Sequence, residues 1–158
     1  MRKPFIETLT ELVEKDPTVI LIVGDVGFSF LEPFKERFPK NFLNCGIMEQ
    51  TMMGFAAGLA TGGMKPYVYT MSNFILLRPL EQVRNDICFA NKNVKLISVK
   101  GSEAYKFLGM SHNLFPGEEE AILSTLPNIT KHFPQTDEEC KKIIKDEYER
   151  IGPSYIRL

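Results

Sequence analysis

The sequence contains no tryptophan, two histidines and three cysteines in 158 residues. The cysteines, Cys45, Cys88 and Cys140, are odd in number and widely spaced. This pattern is atypical of a disulfide framework or a cysteine-ligated metal site, so we expect free thiols in a reducing compartment. The net charge is −1, so neither sign is in excess. That balance argues against nucleic acid and an anionic membrane as partners.

A long hydrophobic run is also absent. No apolar stretch approaches the ~20 residues that a helix needs to cross a bilayer. The N-terminus is not typical of a signal peptide, because Glu7, Glu11 and Glu14 follow it closely. These absences predict a cytoplasmic location and no membrane partner.

The remaining composition is that of an ordinary globular protein. Hydrophobic residues make up 44% and charged residues 25% of the chain. A chain of 158 residues without internal repeats or low-complexity segments predicts a single domain, residues 1–158.

Helical and strand patterns alternate along the chain. The β-branched run Val19–Val23 predicts a strand buried on both faces, and Thr136 with Glu139 predicts a helix that begins with a capping box. We predict further strands at 42–44, 65–70, 94–99, 129–133 and 154–157, and helices near 5–15, 31–38, 49–61, 79–90, 118–125 and 137–150. The alternation predicts one open, mostly parallel α/β sheet flanked by helices.

The predicted strands place polar residues at one rim of the sheet. In an open α/β sheet, ligands bind beyond the carboxyl ends of the strands. Those ends carry Asp25, Glu49, residues 70–74 and Lys100 onward. Residues 100–117 form the longest predicted irregular segment, and a loop of that length is usually functional or mobile.

Glu49 is the sharpest candidate for chemistry. It follows Asn44-Cys45-Gly46-Ile47-Met48, where an extended segment gives way to a helix with many small residues at 54–60. A carboxyl group at a dry interface would have a raised pKa and could share a proton. The alternative is a carboxylate that stabilises its own helix dipole. Spacing alone leaves both interpretations open.

Two other segments carry candidates. Phe74 begins Phe74-Ile75-Leu76-Leu77-Arg78-Pro79-Leu80-Glu81-Gln82-Val83-Arg84-Asn85-Asp86, and His112 ends Gly109-Met110-Ser111-His112. Phe74 is either a ligand-stacking ring or an ordinary core residue. His112 is either a proton shuttle or a solvated loop residue. The charged positions after Phe74 form either an interface or a solvated helix face.

Together these segments resemble the pyrimidine-binding domain of the transketolase family, whose cofactor is thiamine diphosphate. The resemblance covers residues 5–158. It implies the thiamine diphosphate-binding fold and a role for each candidate. Glu49 and His112 would be catalytic. The implied cofactor contacts are Glu49, Phe74, Leu77 and Asp25; the implied substrate contacts are Lys100 and His112; the implied interface residues are Arg78, Glu81, Gln82 and Arg84.

The sequence departs from the family where the diphosphate and metal would bind. The G-D-G motif is absent, since Gly24-Asp25 is followed by Val26, and the G-K-[ST] of a P-loop is absent too. We therefore expect no metal site in this chain and a separate diphosphate-binding subunit, the counterpart of a transketolase N-terminal section, that holds Mg²⁺. We also expect that this polypeptide lacks the family's C-terminal domain. We expect a dimer of this chain and an α2β2 complex with its partner.

The resemblance predicts a transferase, active with its partner, that moves a ketol unit between ketose and aldehyde substrates. One alternative is the β-type subunit of a 2-oxoacid dehydrogenase or a decarboxylating synthase. Others are a non-catalytic scaffold of the same fold and a generic flavodoxin-like binding domain. Leu108 replaces an acid that contacts a sugar hydroxyl in transketolases, and a second Arg after Arg157 is absent. We therefore expect selection against ordinary pentose phosphates, with Lys100 and Lys106 supplying positive charge to a different anion.

Overall fold

A computed structural model describes residues 1–99 and 103–158, which form a parallel sheet with helices on both faces. The strands are β1 (Val19–Val23), β2 (Phe42–Asn44), β3 (Lys65–Met71), β4 (Lys95–Val99), β5 (Thr130–His132) and β6 (Ser154–Arg157). The α-helices are α1 (Arg2–Lys15), α2 (Glu32–Arg37), α3 (Glu49–Thr61), α4 (Ser72–Leu76), α5 (Leu80–Gln82), α6 (Glu118–Ser124) and α7 (Asp137–Glu149). A π-helical segment spans Val83–Phe89 and a 3₁₀ segment spans Glu103–Ser111.

The strand order is β2-β1-β3-β4-β6-β5, and every strand pairing within the described residues is parallel. The predicted open parallel sheet is therefore confirmed. The chain leaves β1 toward β2 on one side, and it leaves β3 toward β4 on the other. This reversal creates a topological switch point between β1 and β3, where open α/β sheets form a ligand-binding crevice.

Helices cover both faces of the sheet, so alternate residues of β1 enter different hydrophobic clusters. Ile20 and Ile22 pack with Met52 and Met53 of α3. The other three β1 residues pack with apolar side chains of α1 and α7, namely Phe5, Leu9, Cys140 and Ile144. All five β1 residues are buried, as the continuous apolar run predicts.

The helix predicted at 79–90 differs from the observed structure. Only Leu80–Gln82 is α-helical, and the chain then widens into the π-helical segment. The Ala90 amide donates to the Asn85 carbonyl at 3.3 Å, five residues earlier. The wider turn buries Cys88, whereas Ala90, which the 3.6-residue pattern places in the core, is exposed.

The capping box predicted at Thr136 is confirmed in a shifted form. The Glu139 amide donates to Thr136 Oγ1 at 3.1 Å. The return bond comes from the amide of Gln135, which donates to Glu139 Oε2 at 2.7 Å. The carboxylate thus satisfies a donor one residue before the N-cap.

Two further expectations concern cysteines and membranes. Cys45, Cys88 and Cys140 are free thiols, as predicted. Among the helices of residues 1–99 and 103–158, none combines the length and the apolar character that a bilayer crossing requires.

Candidate active site

A cavity of about 470 Å³ lies at the carboxyl ends of β1 and β3, at the topological switch point. It brings together four of the predicted catalytic, cofactor or substrate contacts: Asp25, Glu49, Phe74 and His112. They come from four different parts of the chain, and the convergence expected from the strand order is observed for them. Lys100, a predicted substrate contact, lies outside the described residues.

Glu49 is the first residue of α3, and only 3% of its surface is exposed. Arg78 Nη1 donates a hydrogen bond to Glu49 Oε1 at 2.8 Å. The Arg78 side chain is 44% exposed, so a buried carboxylate is paired with a half-exposed cation. In the described part of the chain, the carboxylate makes this bond and no bond to a backbone amide of α3. A side-chain cap is therefore not observed.

Phe74 lies beside the same ion pair. The Arg78 guanidinium carbon is 3.8 Å from the centroid of the Phe74 ring, a cation–π contact. The His112 ring meets Phe74 edge-on, with centroids 5.1 Å apart and planes at 69°. The ring of Phe74, which is 8% exposed, thus contacts both a cation and an imidazole at the cavity wall.

His112 is held by contacts on several sides. The Tyr105 ring stacks on the imidazole at a centroid distance of 6.3 Å. Ser111 Oγ lies 2.7 Å from His112 Nδ1. The amide Nδ2 of Asn73, in α4, donates to the Ser111 carbonyl at 2.6 Å and ties this segment to the end of β3. His112 is therefore a fixed part of the cavity.

Asp25 follows β1 in a left-handed backbone conformation, with φ of 53°. Its amide donates to Asn44 Oδ1 at 3.0 Å, and Asn44 Nδ2 donates to Asp25 Oδ1 at 3.1 Å. The Gly46 amide also donates to Asn44 Oδ1, at 2.9 Å. Asn44 thus joins the ends of β1 and β2 and positions the segment that leads to Glu49. Its signal in the sequence is a polar residue at a strand end, two positions before a glycine.

The cavity also contains residues that the sequence analysis missed. Arg2 and Tyr69 both line it. Burial raises the pKa of Tyr69 to about 12, and the Arg2 charge works against that rise. Thr70, which belongs to the predicted rim segment 70–74, is fully buried at the cavity wall, and its Oγ1 has no hydrogen-bond partner in the described part of the chain. No periodic pattern marks Arg2, because it precedes the first apolar residue of the helical pattern, Phe5.

Several predicted contacts lie elsewhere. Leu77 does not line this cavity and is 43% exposed. Leu108 does not line it either. Glu81 and Arg84 are exposed, as an interface or a solvated face requires. Gln82 Oε1 is a buried atom without a partner in the described residues.

An exposed apolar surface surrounds the N-terminal part of α3. Gly54 and Gly58 are exposed, and an added Cβ on Gly58 would meet no described atom within 4 Å. Five large apolar side chains are exposed too: Ile47 and Met48 just before α3, Phe55 on α3, and Leu77 and Phe89, which are more distant in the sequence. We call the exposed part of α3 with these side chains the α3 surface.

His132, predicted to be structural, belongs to a network remote from the cavity. Its Nε2 lies 2.8 Å from Glu147 Oε1, and Lys95 Nζ donates to Glu147 Oε2 at 3.1 Å. Burial acts to raise the pKa of Glu147, but hydrogen bonds from His132 and Arg150 and the Lys95 charge outweigh it and lower that pKa. Lys95 begins β4, so the network lies at the edge of the sheet opposite the cavity.

A buried carboxylate, an aromatic ring and an imidazole at the switch point of a parallel sheet define a ligand-binding α/β domain. The chain belongs to the transketolase pyrimidine-binding domain family, because the family model matches residues 1–158. The resemblance drawn from the motifs is thus confirmed.

Relatives refine this assignment. The chain is 34% identical over 158 residues to a subunit of the apulose-4-phosphate transketolase of Phocaeicola vulgatus, covering 99% of this chain and 50% of that protein. It is 32% identical over 154 residues to 1-deoxy-D-xylulose-5-phosphate synthase of Desulfitobacterium hafniense, covering 97% of this chain and 24% of that protein. The chain thus spans about half the length of the transketolase relative and less of the synthase.

A solved structure confirms the fold. A split gene transketolase, described as an inactive beta4 tetramer, superposes with a TM-score of 0.87 at 34% identity. The match covers 99% of this chain and 50% of that chain.

Proposed function

We propose that this chain supplies the catalytic carboxyl group and the pyrimidine pocket of a thiamine diphosphate-dependent, transketolase-like transferase. The observation that carries the proposal is that buried Glu49 and the Phe74 ring line the same cavity and both contact Arg78. A carboxyl group suits a ring nitrogen, and an aromatic face suits a stacked heterocycle. Thr70 Oγ1, which has no hydrogen-bond partner among the described residues, offers another polar atom at the same wall.

The contacts of Arg78 support the fit of a flat, nitrogen-bearing ring. Its planar guanidinium donates to Glu49 and lies over Phe74. An aminopyrimidine would use the same two groups: the carboxylate and the ring face. Because the Arg78 side chain is 44% exposed, it can turn toward solvent when the pyrimidine ring enters.

Each residue of the site then has a distinct role. When bound, thiamine diphosphate supplies the carbon nucleophile for breaking and forming carbon–carbon bonds next to a ketone. Glu49 shares a proton with the pyrimidine ring nitrogen, and Phe74 holds the ring plane. His112 exchanges a proton with the substrate, which imidazole can do near neutral pH. Asp25 stays a predicted cofactor contact at the cavity, and Leu77 a predicted contact outside it.

A second polypeptide completes this proposal. The Phocaeicola vulgatus relative is named as one subunit of a transketolase, and this chain spans half of its length. In residues 1–99 and 103–158, no group of three or more His, Cys, Asp or Glu side chains could hold a metal ion. We assign Mg²⁺ and the diphosphate contacts to a partner that resembles a transketolase N-terminal section.

Self-association is the other part of the assembly. The α3 surface supports it, and so does Gln82 Oε1, which has no partner in the part of the chain that the structure describes. Both are groups that a second chain would cover. The solved relative is described as a beta4 tetramer. We propose a dimer of this chain and an α2β2 complex with the partner.

Ketose donors and aldehyde acceptors are the proposed substrates. A decarboxylating synthase is the second candidate, favoured by the similarity to 1-deoxy-D-xylulose-5-phosphate synthase. The two candidates differ in donor: a synthase of that type releases carbon dioxide from a 2-oxoacid, whereas a ketol transferase does not. Product analysis of the reconstituted complex with each donor separates them.

Substitution of Glu49 tests the proposal. Glu49→Gln keeps the shape of the side chain but cannot share a proton with the ring. In the complex with the partner, turnover is expected to fall by about 10²–10⁴-fold, the usual contribution of a general acid–base group. Assembly should persist, and Glu138→Gln, an exposed substitution in α7, is the control. Full turnover in Glu49→Gln would overturn the proposal.

A further inference from the structure

Ser111 Oγ makes two hydrogen bonds with different partners. It lies 2.7 Å from the carbonyl oxygen of Leu108 and 2.7 Å from Nδ1 of His112. A carbonyl oxygen only accepts, so the hydroxyl hydrogen of Ser111 points to Leu108. A hydroxyl group has one hydrogen, and toward the imidazole it can therefore only accept. The hydrogen in the second bond must come from Nδ1 of His112.

This bonding pattern selects one form of the neutral imidazole. With hydrogen on Nδ1, the other ring nitrogen, Nε2, carries a lone pair and no hydrogen. Nε2 has no hydrogen-bond partner in residues 1–99 and 103–158, and the ring lines the cavity. The Tyr105 stack and the Phe74 edge contact hold the ring plane while Ser111 decides which nitrogen is protonated.

We infer that Ser111 is a positioning residue that fixes His112 as the Nδ1–H tautomer and leaves Nε2 as a proton acceptor at the cavity. The claim that Nε2 accepts a proton from a substrate rests on the proposed function. The tautomer is a property of this chain alone. Asn73 supports the arrangement, because its bond to the Ser111 carbonyl fixes the backbone that carries both side chains.

The second histidine provides an internal reference. His132 Nε2 lies 2.8 Å from the Glu147 carboxylate, which accepts. His132 therefore carries hydrogen on Nε2, and the two histidines of the sequence are expected to show opposite proton positions. With two imidazoles in the chain, a nitrogen spectrum of labelled histidine resolves each ring.

The test is long-range ¹H–¹⁵N NMR on the full chain with ¹⁵N-labelled histidine. Spectra are recorded about two units above 6.5, the ordinary pKa of the ring, so that exposed imidazole is neutral. His112 should show a protonated Nδ1 and an unprotonated Nε2. Ser111→Ala should lower the ratio of Nδ1–H to Nε2–H roughly five- to ten-fold, the weight of one hydrogen bond. Ser111→Thr keeps the hydroxyl group and should restore the native ratio.

Ser124→Ala is the matched control. Ser124 Oγ donates to the Ala121 carbonyl at 2.7 Å, three residues earlier, as Ser111 Oγ does to the Leu108 carbonyl. The residue that follows Ser124 is a threonine, whereas the residue that follows Ser111 is His112. That variant should leave both rings unchanged. A native His112 with hydrogen on Nε2, or a Ser111→Ala spectrum identical to the native one, would overturn the inference. Neither cofactor nor partner is present, so the outcome is independent of whether Glu49→Gln impairs turnover.

Discussion

Arg78 and Glu49 form an ion pair across 2.8 Å in which the carboxylate is 3% exposed and the guanidinium side chain 44% exposed. The two residues are 29 positions apart in the sequence. The two side chains differ in solvent exposure, because Arg78 can reach water whereas Glu49 cannot. Any group that displaces Arg78 from the cavity must therefore satisfy the buried carboxylate itself, as the proposed pyrimidine ring does.

Removing Arg78 should destabilise the free chain. Arg78→Ala leaves the Glu49 carboxylate buried without its partner, a loss of about 1–3 kcal/mol in the free energy of unfolding. Urea unfolding of the isolated chain measures it. The double variant Arg78→Ala/Glu49→Gln should recover most of the loss, because the unpaired charge is gone. An unchanged midpoint in Arg78→Ala would show that water already solvates Glu49.

The isolated chain should bind thiamine diphosphate weakly. We assign the diphosphate and Mg²⁺ contacts to the partner, so the pyrimidine pocket alone offers one ring-sized contact surface. Isothermal titration calorimetry with Mg²⁺, with and without the partner, measures the difference. Binding of the free chain with a dissociation constant below about 1 µM, equivalent to about −8 kcal/mol, would contradict the divided site.

Self-association should depend on the α3 surface. Gly58→Gln adds a side chain where no described atom lies within 4 Å, so the fold can accept it. The change should raise helix stability slightly, by about 0.5–1 kcal/mol, while it obstructs close approach of a second chain. Analytical ultracentrifugation at high micromolar concentration should show a dimer for the native chain. The Gly58→Gln variant should contain a larger fraction of monomer at the same concentration. Lys142→Gln, exposed on α7, is the control. A native monomer would count against this surface as an interface.

Acid should unfold the protein partly through Glu147. Its pKa is lowered from the ordinary 4.5 in the folded chain, so the folded state holds fewer protons than the unfolded one at low pH. The stabilisation is therefore present above 4.5 and is lost as pH falls below it. Unfolding free energy measured from neutral to acid pH should decline less steeply in Glu147→Gln. Equal slopes in both proteins would exclude this carboxylate as a cause, and Glu138→Gln controls for general charge effects.

Pentose phosphates should be poor substrates of the reconstituted complex. We expect kcat/KM for xylulose 5-phosphate with ribose 5-phosphate to be at least about ten-fold below that for the preferred donor and acceptor. A loss of about ten-fold corresponds to the free-energy cost of leaving one buried polar group without a hydrogen bond. A panel of ketose donors and aldehyde acceptors measures it. The prediction rests on the sequence, in which Leu108 stands where transketolases have an acid; in the structure Leu108 does not line the cavity. Preference for the pentose phosphates would refute it.

Local patterns in the sequence were sufficient for most of the fold. The run Val19–Val23 predicts a doubly covered strand, and it is buried at all five positions. The break before Glu49 places that carboxylate at the start of α3. These features depend on neighbours within a few residues, whose spacing decides backbone conformation and the face that is buried. The motif context also identified the family, which the family model confirms, and it predicts roles for Glu49, Phe74 and His112.

Tertiary structure alone decided which side chains meet. Arg78, a predicted interface residue, contacts Glu49 and Phe74, because the turn after α4 brings it beside the start of α3. Arg2 reaches the cavity because α1 packs beside β1 and β3. Contacts between distant residues depend on strand order and helix placement, which periodicity in the sequence does not encode. The local sequence therefore determined the elements and the position of the carboxylate, and the packing of those elements determined what that carboxylate touches.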